Sequence, residues 1–480
     1  ISMEAVLQCL SARTNDPEPR VRVAVCRALS MLVQVRLEFI VGMLGPIMAF
    51  FLHATQHDAS EDVAKEACNF WKMYCDYCLQ AKDALKPVLP QLVPALLGRM
   101  VYDADELATL EGVEDVDNAQ EKDNARDIAP SFHKMMGRGS TDTGIASSSS
   151  GYDDDGDGNG GGGGDDDDDD DDDEFAVTWT LRKAAATALD AISVSFGGHD
   201  VLPHFLGPLK QLLSVPVPDD PAQDTNDAWL RVESGILALG CIADGCPQIV
   251  GYLDELYPML LTWASHARPL IRKIALWCMS RYSEWLLRVS SKGAAEAQRY
   301  LAPVVQCFCA RMCDHTKTVQ GSAVSALGVL AQEASAQGRG ELLAGLAQPV
   351  LQCCAQCLGT YQEINMVILC DTLATVLEAC KHRTDIVRHP DFLNMIMPPL
   401  IARWNAVDAA APPGSGGGDP HQFKPLLEGL TSVAVAVGPA FEPFAPPVFK
   451  KCLDIIETTL IVMLSGHDGM GGGGGDPPVL

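Results

Sequence analysis

Apolar positions in this chain recur at three- and four-residue spacing, the pattern of helices that bury one face. Two kinds of block alternate. The first carries a proline inside an apolar run: FIVGMLGPIMAFFL (Pro46), VLPQLVPALLGRM (Pro94), VLPHFLGPLKQLL (Pro208), IVGYLDELYPMLL (Pro258), YLAPVVQCF (Pro303), LLAGLAQPVLQCC (Pro349), FLNMIMPPLIARW (Pro399) and FEPFAPPVFKKCL (Pro447). Successive prolines are 48, 114, 50, 45, 46, 50 and 48 residues apart. The second kind starts polar and continues with small or apolar residues: PEPRVRVAVCRALSML, EDVAKEACNFWKMYC, VTWTLRKAAATALDAISV, AWLRVESGILALGCIADG, PLIRKIALWCMSRYSEWL, KTVQGSAVSALGVLAQ and INMVILCDTLATVLEAC. A two-helix unit with this period is the signature of HEAT or armadillo arrays. Proline ordinarily breaks a helix; at one place in every unit it predicts a kink in the first helix of each pair. The acid, β-branched residue and base between Asp16 and Arg22 are typical of HEAT units. The fold predicted is all-α, an α-solenoid of about eight HEAT repeats.

The one irregular spacing is an ordinary period plus an insert. It falls between a first helix ending near Met100 and a second helix starting near Val177, so it is a loop within one repeat. Residues 102–133 are acidic but hold apolar residues and can dock on the array. Residues 134–174 are mostly Gly, Ser and Asp, with nothing to bury that would offset the entropy of ordering, and are expected to be disordered. Their centre is an unbroken run of Asp165, Asp166, Asp167, Asp168, Asp169, Asp170, Asp171, Asp172 and Asp173. The division expected is 1–101 repeats, 102–174 acidic loop, 175–464 repeats forming a binding arch, and 465–480 a Gly-rich tail. The chain starts at Ile1 and its last first-type helix (about Phe441–Leu464) has no partner helix, so a fragment of a longer array is expected.

Charge sharpens this. Residues 102–174 hold 25 acids against 4 bases, −21 of the chain's −28. Such a balance disfavours nucleic acid as a direct ligand, because phosphate binding needs the opposite sign. No long uninterrupted apolar run appears, so membrane insertion is not expected. The start lacks the features of a signal peptide. The 17 cysteines sit in apolar helical stretches and read as reduced packing thiols of the cytosol or nucleus. Cys75/Cys78 and Cys354/Cys357 have C-x-x-C spacing, beside a cluster of Cys307, Cys309 and Cys313. They lie mid-helix without a matching His, so no metal site is expected. The Gly runs lack the context of a phosphate loop. Neither a nucleophile elbow nor HExxH is present, so neither an enzyme nor a cofactor is expected.

A concave surface lined by second helices remains. Ile274, Trp277 and Arg281 share a helical face, as do Ala186 and Asp190, and Asp371 and Glu378. Each set has a plainer reading as packing or solvated acid. Together they make an acidic trough with an aromatic anchor, suited to an extended basic peptide.

At these residues the chain resembles the transportin (karyopherin-beta2) family of nuclear import receptors. The resemblance rests on PEPRVRVAVCRALSMLVQVR, VAKEACNFW, DIAPSFH, WTLRKAAATALD, VESGILALGCIADGC, IRKIALWCMSRYSEW and LNMIMPPLIARWN. It implies binding of signals with a basic stretch followed by R/K/H-x(2–5)-P-Y, carried by cargo proteins that in the family are often RNA-binding proteins. It also implies partnership with Ran-GTP and with Phe-Gly repeat proteins of the nuclear pore, shuttling between cytoplasm and nucleus, and cargo release through the acidic loop. By matching helices it places the Pro-Tyr pocket at Ala186, Thr187, Asp190, Leu237, Ile274 and Trp277, with Arg281 beside it. Asp371 and Glu378 would receive basic residues. Thr187 stands where the family has Ala, making the floor larger and more polar. Gln332 stands where an acid is expected, with Glu333 next to it. Because polyaspartate is repelled by an acidic trough, the loop is expected to reach it through residues 102–133. A HEAT scaffold of another complex, or a chaperone of basic proteins working through the acidic loop, is the alternative.

Overall fold

The chain folds into helix pairs in the order the pattern predicts. The computed structural model describes residues 3–109, 115–123, 179–218, 223–224, 226–383, 390–409 and 420–467, and among these there is helix and turn but no strand. The pairs are α1 (Met3–Ser11) with α2 (Pro19–Val35), then α3 (Leu44–His57) with α4 (Glu61–Tyr77). Helix α5 (Leu89–Gly98) pairs with the first half of α6 (Leu181–Leu213), whose second half pairs with α7 (Ala228–Cys241). Next come α8 (Leu253–Trp263) with α9 (Pro269–Arg281), and a short α10 (Ser283–Ser290). The stack continues with α11 (Ala302–Met312) and α12 (Lys317–Ala336), α13 (Ala347–Thr360) and α14 (Glu363–Ala379), and α15 (Pro390–Ala409) and α16 (Pro420–Val437). A further first-type helix, α17 (Ala445–His467), closes the described chain.

Helix α6 joins two repeats without a loop. At Gly197 the backbone turns to φ 72°, ψ 174°, a region open only to glycine at low cost. That single residue separates the second helix of one repeat from the first helix of the next.

The recurrent prolines act in two ways. Pro46, Pro303, Pro349 and Pro447 fall in the first turns of α3, α11, α13 and α17, where no intrahelical N–H is lost. Pro94, Pro208, Pro258 and Pro399 lie inside α5, α6, α8 and α15. The kink appears as a change of helix type ahead of the proline: 3₁₀ at Val41–Met43, Leu79–Leu85 and Pro247–Tyr252, and π at Ala297–Leu301. Among the described residues, one stretch, Leu37–His57, is long and apolar enough to cross a membrane by composition. In the array, Leu44, Ile47, Met48, Phe51 and Ala54 of that stretch are buried, as core residues of the second repeat.

Second helices pack on one another without interruption, in the order α2, α4, α6, α7, α9, α12, α14 and α16, while first helices meet their neighbours more sparsely. The second helices therefore form the more closely packed of the two layers. Ion pairs cross from one repeat to the next. Arg22 of α2 grips Asp58 of the following repeat at 2.7 and 2.9 Å, and Arg272 of α9 reaches Asp314 at 2.9 Å. Buried Arg182 binds Glu233 at 2.7 Å and Met100 O, under the Tyr102 ring. Opening such a buried pair from one side costs about 3–5 kcal/mol, because the other charge is left in a poor solvent.

Candidate functional site

The residues expected to bind a signal lie on five consecutive second helices: α6, α7, α9, α12 and α14. The first three carry a connected cluster. Ala186, Leu237 and Ile274 are fully buried, and Trp277 is only 6% exposed, so these form the floor of the face and not its lining. The indole lies flat against α7 because residue 240 is glycine: a Cβ there would come within 2.2 Å of Trp277 Cζ3. Arg281 lies over the indole, its guanidinium carbon 6.0 Å from the ring centre, and is held to Asp244 at 2.9 Å. Tyr282 pins the end of α9 by donating to Leu239 O at 2.6 Å.

Asp190 is the chemically unsettled member. It is half-buried, its Oδ1 is fully enclosed, and among the described residues that oxygen has no hydrogen-bond partner. Burial pushes its carboxyl up to about 6; the Arg281 charge pulls it down and Asp244 pushes it back up. An enclosed carboxylate oxygen without a donor costs free energy that an incoming N–H or O–H would recover. Thr187 proves less polar than its type suggests. Its hydroxyl donates to Lys183 O at 2.8 Å and Ala184 O at 3.1 Å, so it is satisfied within its own helix.

Farther along, Asp371 and Glu378 are exposed on α14, with Glu378 paired to Lys381, and Glu333 on α12 accepts from Gln337 Nε2 at 2.6 Å. These continue the row one and two helices beyond the indole without touching it. Sequence reasoning missed Gly240, Asp244 and Glu428. Glu428 of α16 is exposed and close enough that its charge, after burial, raises the Asp371 carboxyl. Only Gly240 and Asp244 had a local signal, standing in LGCIADG at the end of the α7 block.

The early part of the insert lies along the array at residues 115–123. Asp115 bonds Arg272 and His315, each at 2.8 Å. Asn118 N and Ala119 N both donate to His315 O at 3.1 Å. The side chain of Asn118 accepts from Lys317 N, the first residue of α12, at 2.8 Å. Asp123 accepts from Ile364 N at the start of α14 at 2.9 Å, and from Lys317 Nζ at 3.1 Å. Neither α12 nor α14 is capped by the side chain of its own N-cap residue, Thr316 or Gln362. A strap 199 and 241 residues upstream supplies the two caps.

Of the flank 102–133, residues 115–123 meet Arg272 of α9 and the starts of α12 and α14, while 110–114 and 124–133 lie outside the described residues. Ile364 and Glu378 are fourteen residues apart on one helix, roughly 21 Å at 1.5 Å per residue. The strap sits at these helix starts because free N–H groups there attract carboxylates and amide oxygens. Asp165–Asp173 lie outside the described residues. The structure also brings Cys313 to Cys353 and Cys357, which the reading of isolated packing thiols did not anticipate.

A HEAT-repeat family model matches residues 6–36. The chain is 34% identical to transportin-1 of Mus musculus over 463 residues, which is 96% of this chain and 46% of that protein. It is 34% identical to importin subunit beta-2 of Schizosaccharomyces pombe, over 97% of this chain and 48% of that protein. It thus spans about half the length of the curated relatives it matches. Among solved structures, the karyopherin Kap121p bound to Pho4p aligns with a TM-score of 0.60 at 17% identity, over 93% of this chain and 35% of that one. Kap121p bound to RanGTP aligns with a TM-score of 0.56 at 17% identity, over 96% and 36%. These likenesses establish the solenoid fold.

Proposed function

The chain is a homologue of the transportins over nearly its whole length, and on that premise we propose that it forms the signal-binding arch of a nuclear import receptor. It works as a binding module and not as an enzyme, in keeping with relatives that are karyopherin transport receptors. The ligand is an extended basic segment ending in R-x(2–5)-P-Y. Its Pro-Tyr end rests on the Trp277 edge beside Asp190, Thr187 and Arg281, over the floor of Ala186, Leu237 and Ile274. Its basic residues meet Glu333, Asp371 and Glu378. The observation that carries this reading is the enclosed, unpartnered oxygen of Asp190 next to the Trp277–Arg281 pair.

The whole receptor would exchange such cargo for Ran-GTP, contact Phe-Gly proteins of the pore and shuttle between cytoplasm and nucleus. Karyopherin structures with RanGTP and with Nup53p support partners of these kinds. In this reading the acidic loop works as a tethered arm anchored by the strap at 115–123.

The direct test is fluorescence anisotropy with a labelled R-x(2–5)-P-Y peptide. Combining Trp277→Ala with Asp190→Lys should weaken binding by at least about tenfold, since an interfacial anchor and a charge are lost together. Equal affinity for the variant and the unmodified chain would remove the site assignment. Deleting 134–174 should leave peptide binding intact and abolish Ran-driven release in the full-length receptor.

A further inference from the structure

We propose that Cys313, Cys353 and Cys357 form a thiolate site for a soft divalent cation, with zinc as the ion of reference. The three sulfurs come from adjacent first helices: Cys313 follows the last turn of α11, and Cys353 and Cys357 lie one turn apart on α13. All three lie within 4.8 Å of one another, and the Cys313 and Cys353 sulfurs are 4.0 Å apart. Zinc–sulfur bonds of about 2.3 Å in a tetrahedron put the sulfurs roughly 3.8 Å from each other. A shift of a few tenths of an ångström to about one ångström in side chains alone would therefore close the three around one ion.

The surroundings favour a soft ion over plain packing. Cys353 and Cys357 are buried while Cys313 is exposed, so the site has two enclosed ligands and an entry from solvent. Such a site would keep its fourth position open to water or an added ligand. The Met312 thioether lies 4.0 Å from Cys353, adding a polarisable neighbour. The backbone is braced there, because Met312 O accepts from the Tyr361 hydroxyl at 2.6 Å and from the Cys357 thiol at 3.7 Å. Binding would release the thiol protons and clamp α11 to α13, stiffening the arch between the sixth and seventh repeats.

The test is titration of the reduced, purified chain with Co²⁺ and then Zn²⁺ under anaerobic conditions. The expected result is a saturable sulfur-to-cobalt charge-transfer band at one equivalent, bleached by Zn²⁺. Cys313→Ser, at an exposed position that leaves the fold intact by circular dichroism, should weaken binding by more than about tenfold, beyond the usual cost of losing an outer-sphere partner. Cys353→Ser should do the same, and Cys9→Ser, exposed in the first repeat, should change nothing. Absence of the band overturns the proposal, as does a band that survives in Cys313→Ser. Uptake of no metal together with ready formation of a Cys313–Cys353 disulfide, read by peptide mass mapping, would also overturn it and make the pair a redox couple instead.

Discussion

Acidification should weaken signal binding while strengthening the empty fold, and both effects trace to Asp190. Its carboxyl is lifted from the ordinary 3.8 to about 6, first by burial, with the Arg281 charge opposing and Asp244 adding. With a pKa near 6 the group is about nine-tenths ionised at pH 7 and about one-tenth ionised at pH 5. A peptide free of histidine that needs the carboxylate should therefore lose about tenfold in affinity over that interval, whereas an ordinary surface Asp would contribute almost nothing there. The stability effect has the opposite sign. The folded chain holds this proton more tightly than the unfolded one, so its contribution is fully present below 3.8 and is lost as pH rises through about 6. A carboxyl lifted that far contributes about 3 kcal/mol at most, and less to the extent that water reaches its open side. The assay is anisotropy from pH 5 to 8 beside thermal melts of the unliganded chain, each repeated with Asp190→Asn. The variant should bind with the low-pH affinity at every pH, and the acid-side gain in melting temperature should shrink. A flat affinity profile in the unmodified chain, or the same slope in Asp190→Asn, would refute the reasoning.

Three further outcomes follow from the packing. Asn118→Ala and Asp123→Ala each remove a cap donated to another repeat, so each should cost about 1 kcal/mol and speed hydrogen exchange at the starts of α12 and α14. Unchanged exchange there would detach the strap from those helices. Arg272→Ala removes one of the two arginines paired with enclosed Asp314, Arg311 being the other, and should destabilise by about 3–5 kcal/mol in denaturant unfolding. Gly240→Ala forces a methyl into the indole of Trp277; it should cost about 1–3 kcal/mol, shift tryptophan emission and weaken peptide binding, and a silent variant would show that the ring is free to move.

The acidic insert illustrates how far a linear reading reaches. Its charge and its place inside one repeat are written in composition and in the one broken proline interval. What its early part holds is not, because Asp115, Asn118 and Asp123 meet partners that lie 157 to 241 residues away in the chain. Asn and Asp in an acidic stretch look like any solvated loop until the helix starts they cap are brought beside them. The cysteines behave likewise. Cys313 and Cys353 stand on different helices, and only the stacking of repeats makes them neighbours.

By itself, the sequence determined the helix pairs, their period and the proline-marked first helices. These follow from spacing along one chain, and a solenoid repeats one local rule in every unit. Tertiary structure decided what each residue of the candidate site does. It made Ala186, Leu237 and Ile274 floor, pressed Trp277 onto Gly240, satisfied Thr187 within its own helix, and left one oxygen of Asp190 enclosed without a donor. Burial and hydrogen-bond partnership depend on groups arriving from neighbouring repeats, and no single helix carries that information.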